Sequence, residues 1–298
     1  MTKNKVKEQT ALQKKEKSER ELALAILLEV EKGEKSHLVL RSVLEKYQYL
    51  DKQERAFLTR LTEGTIERTL ELDYIINQYS KTKVQKMKPV IRNILRMAVY
   101  QIKYMDNVPD SAACNEAVKL AGKKGFGTLK GFVNGVLRSI VRSQEQIPYP
   151  DETCPENSLS VKYSMPQWIV TMWLKDYGRE KTEEILKSFY LSRPTTIRVN
   201  ENRISKEELI KKLKNEHVNV EEHPFLDSAL LISDYDYLGA LNSFYEGDFQ
   251  IQDAASIQVA ESADIKPGDY IIDVCAAPGG KATQLAGALR GQGLLVAN

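Results

Sequence analysis

The sequence predicts a multidomain chain: an all-helical domain, then a small α+β module, then the first βα unit of a Rossmann-like α/β domain. Three observations predict it. Apolar residues recur at three- and four-residue steps through much of the first half, the signature of amphipathic helices. Beyond Pro148, Pro150 and Pro155 the pattern becomes mixed, with short apolar runs alternating with helical ones. Near the end, Asp269 to Ala286 reads as an apolar strand that breaks into a small-residue turn and resumes at helical spacing.

Residues 1–17 form a polar, basic tail without periodicity, expected to be disordered. The helical domain is expected over 18–147. Its apolar sets are Leu22, Ala25, Ile26 and Val30, then Phe57, Leu58, Leu61, Ile66 and Leu70. Val90, Ile91, Ile94, Leu95, Ala98, Val99 and Ile102 follow, and then Phe132, Val133, Val136, Leu137 and Ile140. Breaks fall at 33–36, 81–89, 107–109 and 122–127. Asp51 and Asp110 are expected N-caps, Asp51 with Glu54 as a capping-box partner.

The prolines then mark a domain boundary near residue 150, and the α+β module is expected over 148–247. Helices are predicted at 166–177, 179–191 and 205–215, and strands at 195–199 and 230–232. The last segment, 248–298, opens with a strand at 249–251 and a helix capped by Asp253 or Ser256 and running to Ala263. Pro267 and Gly268 turn the chain into a strand at Tyr270. Only about one βα unit fits before Asn298, and the unpaired sheet edge expected there is an aggregation risk.

A 298-residue chain with 42% hydrophobic and 28% charged residues is ordinary for a globular protein with a sizeable core. The N-terminus is Lys-rich, and no apolar stretch approaches the length needed to span a bilayer, which reads as cytoplasmic. Cys114, Cys154 and Cys275 are widely spaced, without Cys-x-x-Cys or a His cluster. Neither a disulfide framework nor a metal site is expected.

The net charge of +2 conceals an asymmetry. Residues 1–150 carry 28 Lys and Arg against 18 Asp and Glu, whereas 151–298 carry 15 against 23. The stretches 80–105 and 118–144 contain no acid at all. Acid-free basic fields suit a polyphosphate backbone, which makes nucleic acid the expected partner. Arg68, Arg92, Arg96, Lys123, Lys124 and Lys130 are the candidate phosphate contacts, although any one of them reads equally as a solvated charge. Tyr100 and Tyr104 are potential stacking residues, but Tyr at helical spacing in such a run is usually core.

The small-residue turn is Asp273-Val-Cys-Ala-Ala-Pro-Gly-Gly-Lys281. Small residues let backbone amides approach a ligand, and the following helix N-terminus offers unpaired N–H groups to a polar or negative group. A phosphate-binding P-loop is excluded by register, because its first glycine falls on Cys275 and its metal-binding hydroxyl on Ala282. The dinucleotide Gly-x-Gly-x-x-Gly pattern is also absent.

The string closely resembles the S-adenosylmethionine loop of the RNA cytosine methyltransferases that make 5-methylcytosine. Gly247-Asp-Phe-Gln-Ile-Gln-Asp-Ala-Ala-Ser256 resembles the Gly-x-x-x-x-Gln-Asp-x-Ala-Ser stretch that precedes that loop, and Arg198-Val-Asn200 resembles the family's Arg-Val-Asn strand. In the first half, Glu63-Gly-Thr-Ile-Glu-Arg68, Ile94-Leu-Arg-Met-Ala-Val-Tyr-Gln101, Val108-Pro109 with Asn115-Glu-Ala-Val118, and Gly131-Phe-Val-Asn-Gly-Val-Leu-Arg138 are similar to the helical RNA-binding domain of the antitermination factor NusB. A NusB-like domain ahead of this methyltransferase loop is the layout of the RsmB (Sun) family of small-subunit ribosomal RNA cytosine methyltransferases.

The resemblance implies S-adenosyl-L-methionine as cofactor, held by Cys275, Ala276, Ala277, Pro278, Gly279, Gly280 and Lys281. Asp273 would fix the strand end, and Gln252, Asp253 and Ser256 would brace the loop. Small-subunit ribosomal RNA is the implied partner, without a membrane, and a monomer is expected. The family's attacking and releasing cysteines lie in Pro-Cys and Thr-Cys motifs well beyond the loop, and neither motif follows the loop here. No catalytic residue is therefore assigned, and Cys275 belongs to the cofactor position rather than to base attack. The strand at 294–298 resembles one cut just before the acid that grips the cofactor ribose. As written, the chain is expected not to catalyse alone. A NusB-like RNA-binding or antitermination module without catalysis is the alternative.

Overall fold

Helices α1 (Glu19–Glu31), α2 (Ser36–Lys46), α3 (Lys52–Glu67), α4 (Thr69–Tyr79), α5 (Pro89–Tyr104), α6 (Asp110–Lys123) and α7 (Lys130–Arg142) follow one another through short turns; the four apolar sets fall on α1, on α3 and the start of α4, on α5 and on α7, whereas α2 and α6 carry none of them. A computed structural model describes residues 17–48, 50–191 and 193–298, so positions 1–16 of the expected tail lie outside the described residues. The contacts divide the chain into two units, Met1–Leu191 and Ser192–Asn298.

Helix α5 is the axis of the first unit. Pro89 occupies its first turn, where no backbone donor is needed, and Ile91, Asn93, Ile94, Leu95, Met97, Ala98, Val99, Tyr100, Gln101 and Ile102 are all buried. Helices α1, α3, α4, α6 and α7 surround it. Gly64 of α3 is required for this closeness, because a Cβ there would fall 2.0 Å from the Tyr100 ring. Tyr100 is thus core.

The ends follow their predicted chemistry with one correction. Asp51 and Glu54 form the expected capping box, and Ser18 and Glu21 form another at α1. Asp110 is the first residue of α6 rather than its cap, a place taken by Pro109. The carboxylate then sits in the first turn, where the helix dipole favours it.

The proline-rich stretch near 150 bends the chain without ending the packing. Helix α8 (Pro155–Lys162), which the sequence did not reveal, and α9 (Gln167–Ser188) belong to the first unit. Helix α9 breaks at Gly178, with φ +73°, where the sequence separates two helices. Buried Glu71 explains the attachment. It accepts a hydrogen bond from the Tyr149 hydroxyl at 2.6 Å, while Ser164 Oγ accepts one from Leu70 N–H at 3.0 Å. The Arg68 guanidinium lies 3.5 Å over the Tyr190 ring.

In the second unit, β1 (Thr195–Val199), α10 (Lys206–Asn215), β2 (Asn219–Glu222), β3 (Ala229–Ser233), α11 (Asn242–Tyr245) and β4 (Phe249–Ile251) form a βαββαβ array. The sheet is antiparallel in the order β2-β3-β1-β4. Ile197 and Val199 of β1 bury one face with Leu209, Leu213, Leu230, Ile232 and Phe249. Alternation therefore sends Arg198 to the other face. Strand β2 was not legible because its residues are mostly exposed and polar.

Helix α12 (Ala254–Ser262) is capped by Asp253, which settles the choice against Ser256. Strand β5 (Tyr270–Asp273), helix α13 (Gly280–Ala288) and strand β6 (Leu294–Ala297) complete a parallel βαβ unit, with Tyr270 opposite Leu294 and Asp273 opposite Ala297. One face of this strand pair is open: Tyr270 is 84% exposed and Ile272 73%. Among the described residues, no helix is long and apolar enough to cross a membrane.

Candidate functional site

The turn between β5 and α13 is held at both ends by backbone chemistry. Asp273 Oδ1 accepts a hydrogen bond from Cys275 N–H at 3.2 Å, and Ala276 N–H donates to the Asn298 carbonyl at 3.1 Å. Gly279 stands at the N-cap of α13 with φ +103°, a left-handed conformation that costs any side chain. The Thr283 hydroxyl returns to the Gly279 carbonyl at 2.9 Å.

This geometry gathers Cys275, Ala276, Ala277, Pro278, Gly279, Gly280 and Lys281 on one crest. Cys275, Ala277, Pro278 and Lys281 are exposed, whereas Ala276, Gly279 and Gly280 are half-buried. The first amides of α13 have no acceptor within the helix and lie at its positive end. Lys281 makes no ion pair among the described residues. Small side chains, first-turn amides and one ammonium group form a donor set that fits an amino-acid carboxylate and neighbouring hydroxyls.

Behind the crest lies a polar network. Buried Gln252 donates to Gln284 Oε1 at 2.9 Å, and Gln284 donates to the Ile257 carbonyl at 3.2 Å. Arg198 donates to Gln252 Oε1 and to Gln250 Oε1, both at 2.8 Å, and reaches Thr283 Oγ1 at 3.4 Å. Burial draws the Arg198 guanidinium below its ordinary pKa, with Glu201 opposing. Sequence reasoning reached Gln252 but missed Gln250, Thr283 and the role of Arg198. The only available signal was the alternation in Thr195-Thr-Ile-Arg-Val199, which sets Arg198 opposite the core face. Asp253 caps α12, and Ser256 lies inside that helix with no bond to the loop among the described residues.

The six basic candidates separate into two groups. Arg96 forms a paired contact with Asp73 at 2.6 and 2.7 Å, Arg92 pairs with Glu31, and Arg68 lies between the Tyr104 and Tyr190 rings, 3.5 Å from Glu71. All three are drawn inward. Tyr104 donates its hydroxyl to Glu71, and burial pushes its pKa up. Lys123, Lys124 and Lys130 instead come together at the α6–α7 turn and are exposed, with Lys130 lying across Gly122. Of these, Lys123 pairs with Glu21 at 2.6 Å. Burial alone would raise the Glu21 pKa, but the hydrogen bonds from Lys123 and from the Ser18 N–H outweigh it and the net direction is down.

Residues 17–142 match the NusB family, and residues 165–235 match the Methyltr_RsmF/B-like, ferredoxin-like domain. The chain is 35% identical to the probable ribosomal RNA small subunit methyltransferase B of Bacillus subtilis, over 94% of this chain and 62% of that protein. It is 31% identical to the protein of the same name from Synechocystis, over 94% of this chain and 63% of that one. The chain thus spans about three fifths of the length of these curated relatives. The crystal structure of PH0851 shares the fold with a TM-score of 0.71 at 23% identity, over 93% of this chain and 61% of that chain.

Proposed function

We propose that this chain, which belongs to the ribosomal RNA small subunit methyltransferase B family over the part that it spans, holds the RNA-recruiting domain and the cofactor loop of an enzyme methylating cytosine carbon 5. The substrate is small-subunit ribosomal RNA. The carrying observation is the exposed crest of Cys275 to Lys281 at the head of α13, with Gly279 left-handed at its cap.

S-adenosylmethionine, when bound, supplies an electrophilic methyl group. The residues of this chain bind and orient it. Amides of the crest and the first turn of α13 hold its methionine end, and Lys281 meets the carboxylate. Asp273 keeps the loop tied to the strand end. Cys275 lines the cofactor site without attacking the base, the role that the family resemblance gives to this position of the loop. The β5–α13–β6 unit is read as the opening of a Rossmann-like methyltransferase domain. Lys123, Lys124 and Lys130 supply phosphate contacts from the helical domain, with Arg68, Arg92 and Arg96 as structural ion-pair partners.

Attack on carbon 6 of cytosine needs a thiolate, and no cysteine follows Cys275 in these 298 residues. The 298-residue polypeptide is therefore expected to bind cofactor and RNA without turnover. Titration calorimetry with S-adenosylmethionine, together with labelled methyl transfer to unmethylated small-subunit RNA, tests this. Cofactor binding that weakens about tenfold or more in Gly279→Ala, without transfer, is the expected result. Turnover by this polypeptide would sink the argument from the cysteines, and RNA binding without any cofactor binding would leave only a non-catalytic NusB-like module.

A further inference from the structure

We infer that Arg198 is a positioning residue for the cofactor loop: through Thr283 and the Gln252–Gln284 pair, the antiparallel sheet sets the placement of helix α13. The inference rests on the reading of the crest as a cofactor site and adds a residue that lies outside the crest.

The argument begins with alternation. Ile197 and Val199 are committed to the core, so Arg198 must project from the opposite face of β1. Pairing of β1 with β4 sets Arg198 directly opposite Gln250 and beside Gln252. Its fork then makes contacts in two directions. One nitrogen donates to Gln252 Oε1 at 2.8 Å, and another donates to Gln250 Oε1 at 2.8 Å and lies 3.4 Å from Thr283 Oγ1. Thr283 is in the first turn of α13, and its hydroxyl also reaches Gln250 Oε1 at 2.8 Å.

Gln252 extends the connection. Its Nε2 donates to Gln284 at 2.9 Å, and its side chain lies behind Gly280, where an added Cβ would stand 3.8 Å from Gln252 Cδ. Both tethers therefore end at the turn of the helix whose amides face the cofactor. A guanidinium suits this role because its planar donors hold a fixed fork, whereas a lysine ammonium has no such geometry. Among the described residues, no carboxylate forms an ion pair with Arg198. Its partners are neutral amide and hydroxyl oxygens, so the side chain's orientation depends on the sheet and α13 keeping their positions.

The test uses the full 298-residue chain with Arg198→Met, Arg198→Lys and Thr283→Val. Amide hydrogen exchange is followed across 274–286 and across the paired amides of β1 and β4, and S-adenosylmethionine binding is measured by calorimetry. The expected result for Arg198→Met is faster exchange confined to 274–286 and about tenfold weaker cofactor binding, a loss matching one charged hydrogen bond. Arg198→Lys restores part of both, and Thr283→Val reproduces the exchange change to a smaller degree. If Arg198→Met fails to fold, Thr283→Val carries the test alone. Unchanged exchange at 274–286 in the folded variants overturns the inference. Failure of the wild-type chain to bind cofactor overturns the functional reading, while the exchange measurement still decides the role of Arg198.

Discussion

Helix α5 and the β5–α13–β6 unit are both rich in apolar residues, yet only the helix is covered. Leu95 is fully buried by neighbouring helices, whereas Ile272, in an equally apolar stretch, is 73% exposed. The difference teaches that apolar spacing marks an element's type and its sticky face but does not bury that face. Burial comes from distant partners: five helices pack on α5, whereas Tyr270, Ile272 and Val274 stay exposed beside α13 and β6.

The sharpest way to break this comparison is a pair of truncations. Leu95→Ala should cost about 2–5 kcal/mol, while Ile272→Ala should stay within about 0.5 kcal/mol. Urea unfolding of both variants checks it. A large cost at Ile272 would mean that something covers the β5 face in solution.

A smaller effect separates the inward cations from the outward ones. Arg96→Met breaks its paired contact with Asp73 and should cost about 1–3 kcal/mol of stability. Lys124→Ala should leave stability unchanged, weaken RNA binding, and lower the slope of log affinity against log salt by about one. Filter binding across a salt series reads the second arm. Equal RNA losses in the two variants at unchanged stability would erase the distinction.

The smallest effect is in acid. Hydrogen bonds from Lys162 and then Tyr163 pull the Glu183 carboxyl down to about 2 from 4.5. Its contribution to holding α8 on α9 is present above the ordinary carboxylate range and is lost as pH falls toward 2. Urea midpoints measured from pH 6 to pH 2 should fall less steeply in Glu183→Gln than in the parent chain, and parallel slopes would rule the carboxylate out.

Much of the fold was legible because its signals are local. The capping box of Asp51 with Glu54 and the break at Gly178 each depend on a few consecutive residues. Helix α8 and strand β2 were missed because one follows a proline-rich stretch and the other shows no apolar alternation. The crest at Cys275 to Lys281 was readable as a unit for the same local reason: strand, turn and helix N-terminus are contiguous in the chain.

By itself, the sequence determined helices α1, α3, α5, α7 and α9, the βα turn and the excess of positive charge in the first half, since periodicity, caps and counts are properties of neighbouring residues. Only the tertiary structure decided which cations pair with the protein's own acids. Stretches free of acid in the chain are not free of acid in space: Glu31 and Asp73, on α1 and α4, reach the arginines of α5. The same holds for Arg198, whose position behind the loop depends on a strand pairing across some fifty residues. Coulombic and hydrogen-bond partners are chosen by proximity after folding, and proximity across such distances is not written in any local pattern.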